Sequence, residues 1–353
     1  MVNLDFYRGK RVFVTGHTGF KGTWLTRILV NAGAIVTGYS LEPNTDPSLY
    51  CLANVDDSID SVTGDVRDYE SLKRAFDKAK PEIVMHLAAQ PIVRESYKNP
   101  VYTYETNVMG TVNILECVRT SDCVKSFLNV TTDKVYFNDE KPDHAFKEEE
   151  PLDGFDPYSN SKSCSELVTH SYKKSFFSNG ECAISTARAG NVLGGGDFSV
   201  DRIIPDCVRA ALSGQDVIVR NPYSTRPYQH VLEPLFVYLE ICEKQYSDGK
   251  YAGYYNVGPD LRDCVTTGEL VDLFCKEWSG IKRVDKDCGG PHEAAFLQLS
   301  NEKIKSVFGW QPRWHIDETI KKVVEWTRVW MVDPTSVPKE MDREIAEFTK
   351  GIK

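Results

Sequence analysis

A strand-forming run, Val12-Phe13-Val14-Thr15, leads directly into Gly16-His17-Thr18-Gly19-Phe20-Lys21-Gly22 and then into a helix-like stretch over 23–29. A buried strand, a loop with glycines at its first, fourth and seventh places, and a helix together describe the first βα turn of a dinucleotide-binding sheet. Glycines permit the tight turn and let backbone N–H groups approach a pyrophosphate, which then rests on the positive end of the helix dipole. Without the flanking strand and helix the same residues would be an ordinary Gly-rich turn.

The rest of the first half keeps the alternation this turn demands. Short β-branched runs over 11–15, 35–39, 83–88, 127–131 and 183–188 read as buried parallel strands, with a further strand before Gly64. Helical spacing covers 21–32, 69–79, 101–120 and 157–175, and right-handed crossovers place these helices on both faces of the sheet. We expect an α/β chain with a Rossmann-type doubly wound parallel sheet and a smaller C-terminal substrate-binding lobe. After Ala189 the texture changes, with Gly194-Gly195-Gly196, Asn221-Pro222, Gly258-Pro259 and Gly289-Gly290-Pro291 dividing the chain into shorter elements. Residues 1–188 are expected to form the nucleotide-binding domain, with segments near 230–258 returning to it, and 189–353 to form mainly the substrate lobe.

Composition narrows the function. Lys and Arg number 42 against 51 Asp and Glu, a net charge of −9 that disfavours nucleic acid as a partner while leaving room for a local cationic pocket. No apolar run approaches the roughly 18 residues of a spanning helix. The N-terminus reaches Asp5, Arg8, Lys10 and Arg11 without a signal core, so a cytoplasmic protein with no membrane partner is expected. Ten cysteines lie scattered with no C-x-x-C pair, from which we expect neither disulfides nor a metal.

At the end of the second strand, where such a sheet usually places an acid on the adenosine ribose, stands Ser40. Glu42 follows two positions on, and no Arg follows at once to accept a 2′-phosphate, so NAD is favoured over NADP. Asp65, after the third strand, is placed to accept the adenine amino group, although such an Asp is also an ordinary turn residue. Tyr158-Ser159-Asn160-Ser161-Lys162 sets a phenol and an ammonium one helical turn apart, so that the cation can lower the phenol pKa and hold the cofactor ribose. Thr131-Thr132-Asp133-Lys134 closes a buried strand at its carboxyl edge, where open α/β sheets bind ligands.

These segments, with His86-Leu87-Ala88-Ala89-Gln90-Pro91, Thr106-Asn107, Arg188-Ala189-Gly190-Asn191, Thr225-Arg226-Pro227-Tyr228-Gln229-His230 and Pro291-His292-Glu293, resemble the extended short-chain dehydrogenases/reductases. Within that group they are similar to the CDP-glucose 4,6-dehydratases over nearly the whole length. The resemblance implies that Gly16, His17, Thr18, Gly19, Phe20, Gly22, Ser40, Asp65, Val66, Leu87, Ala88, Ala89 and Asn107 hold NAD together with Tyr158 and Lys162. It implies that Gln90, Arg94, Ser96, Asn191, Arg226 and His292 hold a CDP-sugar, Arg226 at the diphosphate. By the same resemblance Tyr158, helped by Thr132, takes the 4-hydroxyl proton while hydride leaves C4. Asp133 protonates the departing 6-hydroxyl, and Lys134 is either the base at C5 or a cation stabilising the enolate. Asp133 can do this only with a raised pKa. A 4-epimerase of the same fold, a dehydratase of another nucleotide-sugar, and a non-catalytic nucleotide-binding protein are the alternatives. Asp133-Lys134 disfavours the epimerase and the intact Tyr158/Lys162 pair disfavours the binding protein. A homodimer through helices 101–120 and 157–175 is also implied, but Val108, Val112 and Leu115 are equally suited to covering the sheet.

Overall fold

The computed structural model describes residues 2–141, 144–286 and 296–351. Seven strands form the central sheet: β1 Arg11–Thr15, β2 Ile35–Ser40, β3 Asp60–Thr63, β4 Ile83–His86, β5 Ser126–Val130, β6 Ala183–Ala189 and β7 Tyr254–Val257. All neighbours are parallel, in the order β7-β6-β5-β4-β1-β2-β3. The order reverses between β1 and β4, so the carboxyl ends of these two strands frame the crevice in which such sheets bind ligands.

Burial on both faces explains the unbroken apolar runs. In β1, Val12 and Val14 join Trp24, Leu25 and Ile28 of the helix Phe20–Asn31 and Leu235 of the helix Leu232–Ser247. Phe13 faces the opposite layer, with Phe76 of Tyr69–Ala79 and Ile114 and Leu115 of Gly110–Arg119. Period-two side chains from one strand thus feed two separate cores.

Two elements differ from the sequence expectation. The strand expected over 83–88 stops at His86: the Leu87 N–H is shared between the Thr15 carbonyl at 3.1 Å and Thr15 Oγ1 at 3.2 Å, and the Ala88 N–H turns to Thr15 Oγ1 at 3.2 Å. The helix expected over 101–120 is divided into Pro100–Tyr104, a π-helical turn Glu105–Met109 and Gly110–Arg119. Such wide turns re-aim side chains and recur at functional sites.

Beyond Ala189, Asn191–Leu193 pairs in parallel with Thr225–His230, which pairs antiparallel with Cys264–Thr266. A second core of Leu193, Val208, Tyr228, Phe274 and Val323 lies beneath them. Two later parts of the chain return to the nucleotide half. Leu232–Ser247 and β7 cover and extend the sheet, and the final helix Val337–Thr349 is tied to Phe20–Asn31 by Arg27, whose Nε and Nη2 donate to Asp342 at 2.8 and 2.5 Å. Among the described residues the cysteines are free thiols, and no helix is long and apolar enough to cross a membrane.

Candidate active site

The phosphate loop is shaped by backbone meeting backbone. Gly16 has φ +77°, and a Cβ there would lie 2.8 Å from the Ala88 nitrogen. At Gly22 a Cβ would stand 2.0 Å from the Gly16 carbonyl oxygen. Neither neighbour can yield, so only glycine fits. Gly19 caps the helix Phe20–Asn31 with no side-chain hydrogen bond, leaving its first N–H groups open for an anion. That uncapped terminus inside a glycine cradle fits the pyrophosphate of a dinucleotide. His17 does not face the cradle through its ring. The imidazole lies where a Cβ on Gly38 would be (2.4 Å), is 2.9 Å from Ser61 Oγ, and burial lowers its pKa to about 4. Its part is to brace the loop against β2.

At the ribose end, Thr18 Oγ1 lies 2.8 Å from Ser40 Oγ and donates to the Leu41 carbonyl at 2.9 Å. Glu42 accepts from Thr63 Oγ1 at 2.8 Å, on the exposed rim. The Asp65 carboxylate already accepts from Arg67 through Nε (2.9 Å), Nη2 (2.7 Å) and the backbone N–H (2.9 Å), and Arg67 also reaches Glu105 at 3.0 Å. Val66 is buried against Gly110 and offers its carbonyl to Asn113 at 2.8 Å.

Leu87, Ala88 and Ala89 line the other side of the crevice, half-buried. Asn107, aimed by the π-helical turn, holds this segment: its Oδ1 accepts from Gln90 N at 2.8 Å, and its Nδ2 donates to the Gln90 carbonyl (3.1 Å) and Ser161 Oγ (2.9 Å). With its amide so engaged, Asn107 positions the loop against the helix of Tyr158. Gln90 is similarly turned inward, bonded to Ile92 and to Thr103 Oγ1. Ser96 is fully buried and donates to the Val93 carbonyl at 2.7 Å. The hydroxyl satisfies its own helix. Arg94 remains at the mouth, 3.7 Å from Asp201.

At the carboxyl end of β5, Thr132 donates to Asp133 Oδ1 at 2.9 Å and caps a short 3-10 turn, Asp133–Val135. Asp133 Oδ2 is buried and without a partner, in space left by Gly190, whose Cβ would lie 3.0 Å away. Burial raises the Asp133 pKa, opposed by Lys134, the Thr132 hydrogen bond, Arg226 and Lys21. That is the direction an acid for a leaving hydroxyl requires. Lys134 is half-buried beside it.

Tyr158 and Lys162 stand one turn apart on the helix Pro157–Phe176, whose start is fixed by Asp156 accepting from Ser159 N at 3.0 Å and by Pro157 at the first position. The expected lowering of the phenol by Lys162 is corrected: burial pushes Tyr158 up to about 12, with a hydrogen bond to Thr132 acting the other way. Lys162 instead donates to the Val130 carbonyl at 3.1 Å, and burial brings it down to about 8 against the pull of Glu166.

Arg226, buried, donates to the Thr225 carbonyl at 2.9 Å and lies within electrostatic reach of Asp133. Asn191 heads the neighbouring strand, opposite Tyr228. His292 falls outside the described residues. Three charged groups escaped the sequence reading. Lys21 lies within electrostatic reach of Asp133, Lys162 and Arg202, and burial lowers it to about 7. A lysine just inside the helix, where the core would take an apolar residue, was its only signal. Arg202 had none. Glu166, at i+4 from Lys162, was visible as a continuation of the Tyr158/Lys162 stripe.

A family described as GDP-mannose 4,6 dehydratase matches residues 13–323. The CDP-glucose 4,6-dehydratase of Salmonella typhimurium strain LT2 is 46% identical over 326 residues, 90% of each chain. The dTDP-glucose 4,6-dehydratase 1 of Escherichia coli K12 is 28% identical, over 86% of this chain and 88% of its own. Among solved structures, the UDP-glucose 4-epimerase of Thermotoga maritima with UDP-glucose superimposes with TM-score 0.80 at 22% identity, covering 91% of this chain and 99% of its own. The dTDP-glucose 4,6-dehydratase of Bacillus anthracis in complex with NAD gives 0.75 at 21% identity, covering 91% and 97%. At those identities the superpositions speak to the fold, whereas the family match runs through both lobes and the Salmonella relative is alike through nearly all of them. The chain therefore belongs to the GDP-mannose 4,6 dehydratase family of extended short-chain dehydrogenases/reductases.

Proposed function

We propose that this chain is a CDP-D-glucose 4,6-dehydratase, an NAD-dependent hydro-lyase converting CDP-D-glucose into CDP-4-keto-6-deoxy-D-glucose and water for deoxysugar and surface-polysaccharide synthesis. The observation that carries the chemistry is Asp133, a buried carboxyl with a raised pKa and an unpartnered Oδ2, next to Thr132 and Tyr158. An epimerase has no use for such an acid; an elimination does. The CDP preference is supported by the 46% identity to the Salmonella dehydratase.

In this scheme residues 1–188, with the returning segments near 230–258, bind NAD, and 189–353 mainly bind the sugar nucleotide. NAD, held by the glycine cradle, Ser40 and Lys162, supplies the hydride acceptor for C4 and donor for C6. Tyr158 accepts the 4-hydroxyl proton with Thr132 sharing the bond, and because burial favours the neutral phenol, the Thr132 hydrogen bond and the positive charge of Arg202 are needed beside it. The new ketone acidifies the C5 hydrogen. Lys134 takes that proton and returns it to C5 as hydride reaches C6, and Asp133 delivers its own proton to the departing 6-hydroxyl, which leaves as water. Arg226 offers a guanidinium fork to the diphosphate.

The dimer reading gains one distinction. Leu115 is fully buried against the sheet, whereas Val101, Tyr104, Val108, Met109 and Cys164 line an outward apolar groove. The two demands on the stripe fall on different residues, and we place a second copy of the chain on that groove, in the cytoplasm. The test of function is incubation with CDP-glucose, UDP-glucose, dTDP-glucose or GDP-mannose plus NAD⁺, followed by mass spectrometry. Loss of one water from CDP-glucose alone is expected. Appearance of an isomer of unchanged mass, or no reaction with any of them, sinks the assignment.

A further inference from the structure

One fully buried carboxylate collects donors from three elements, and the scheme above leaves it without a task. Glu166 lies one helical turn past Lys162. Its Oε1 accepts from Thr131 Oγ1 at 2.5 Å; its Oε2 accepts from Thr186 Oγ1 at 2.8 Å and Arg188 Nη2 at 3.0 Å, with His170 Nε2 at 3.2 Å. Thr131 directly precedes Thr132 and Asp133, while Thr186 and Arg188 belong to β6. The carboxylate therefore ties the strand end bearing the acid to the helix bearing Tyr158 and Lys162.

We infer that Glu166 is a positioning residue of the reaction, fixing the Thr132-Asp133 turn against Tyr158 and setting a permanent negative charge behind the Lys162 ammonium. The inference rests on the dehydratase reading of the site. Around Lys162, Glu166 is the group that favours the cation; Lys21 from the first helix repels it, and His86 from β4 is kept neutral by burial, at about 3. Around Glu166 stand Arg188 on β6, Tyr254 on β7, Tyr136 after the Asp133 turn and His170 on its own helix. Burial opposes its charge, yet Arg188 and the hydrogen bonds hold it down to about 2, so it remains an anion throughout the working range.

The charge has a signature that mere packing lacks. Lys162 titrates near 8, so both NAD⁺ affinity and kcat/KM for CDP-glucose should fall as pH rises through that value. In Glu166→Gln, of the same shape without the charge, we expect both falls to move acidward by about one pH unit. Glu166→Asp should return them toward wild type. Because the single variant leaves Arg188 buried and unpaired, the double variant E166Q/R188M is measured beside it, with a thermal melt to show that each is folded. The inference is overturned by an unmoved pH dependence in a folded E166Q or double variant, or by Glu166→Asp behaving no better than Gln. The NAD⁺ titration needs no sugar turnover. A wild-type protein that binds NAD⁺ without dehydrating CDP-glucose would overturn the functional reading, while the shift in binding still decides the role of Glu166.

Discussion

Replacing Asp133 by Asn removes one transferable proton from the place where a hydroxyl must leave, and little else. The amide keeps an oxygen for the Thr132 hydroxyl that now donates to Oδ1 at 2.9 Å, and it fills the position that Oδ2 occupies without a partner. Loss of a positioned general acid typically slows a reaction by about 10²–10⁴-fold, or roughly 3–5.5 kcal/mol of barrier. The position of the block matters more than its size. Oxidation at C4 uses Tyr158 and Thr132, so Asp133→Asn should still show the near-ultraviolet absorbance of reduced nicotinamide in a single turnover, and should hold it. Stability should move the opposite way. The folded pKa of Asp133 is raised, so native protein keeps a proton that the unfolded chain loses above about pH 4, and wild-type stability falls as pH rises from there through the folded value. The Asn variant carries no such penalty. It should melt higher than wild type at neutral pH, with the gap closing below about pH 4. A variant that dehydrates within a few-fold of wild type, or that stalls before any nicotinamide is reduced, refutes the assignment of Asp133 as the elimination acid.

Tyr158→Phe should lose about 10²–10⁴ in kcat and show no reduced nicotinamide at all, since the phenol acts before hydride leaves; stopped-flow absorbance separates it from the Asp133 variant. Gly22→Ala places a methyl 2.0 Å from the Gly16 carbonyl, and neither backbone can move without opening the loop, so calorimetry should find NAD⁺ affinity down by at least about tenfold with the sugar-nucleotide affinity of the second lobe retained. Arg226→Lys keeps the charge and loses the fork, and should raise KM for CDP-glucose by about tenfold with a smaller change in kcat; an unchanged KM places the diphosphate elsewhere.

What could be read from the sequence, and what could not, divides along the range of the interactions involved. The phosphate loop and the Tyr158/Lys162 pair are local: the chemistry follows from residues three to seven apart on a known backbone, and the structure supplies that backbone. Asn107 is less local, because its aim depends on a single π-helical turn that no apolar period announces. Ser96 is fully buried with its hydroxyl satisfied by its own helix, an environment that its place in the sequence does not announce. The protonation of Asp133 lies furthest from the sequence. It depends on Gly190 leaving room beside Oδ2, on burial, and on partial opposition from Lys134 in the same turn, from Arg226 on the strand Thr225–His230 and from Lys21 on the helix Phe20–Asn31. The same long-range terms overturned the expectation for Tyr158. An ammonium one helical turn away lowers a phenol in water-like surroundings, but here the ammonium is bonded to Val130 and desolvation of the phenol is the larger effect. For a site assembled from a sheet edge and two lobes, residue types and spacing therefore identify the reacting groups, while their charge states are properties of the packed crevice.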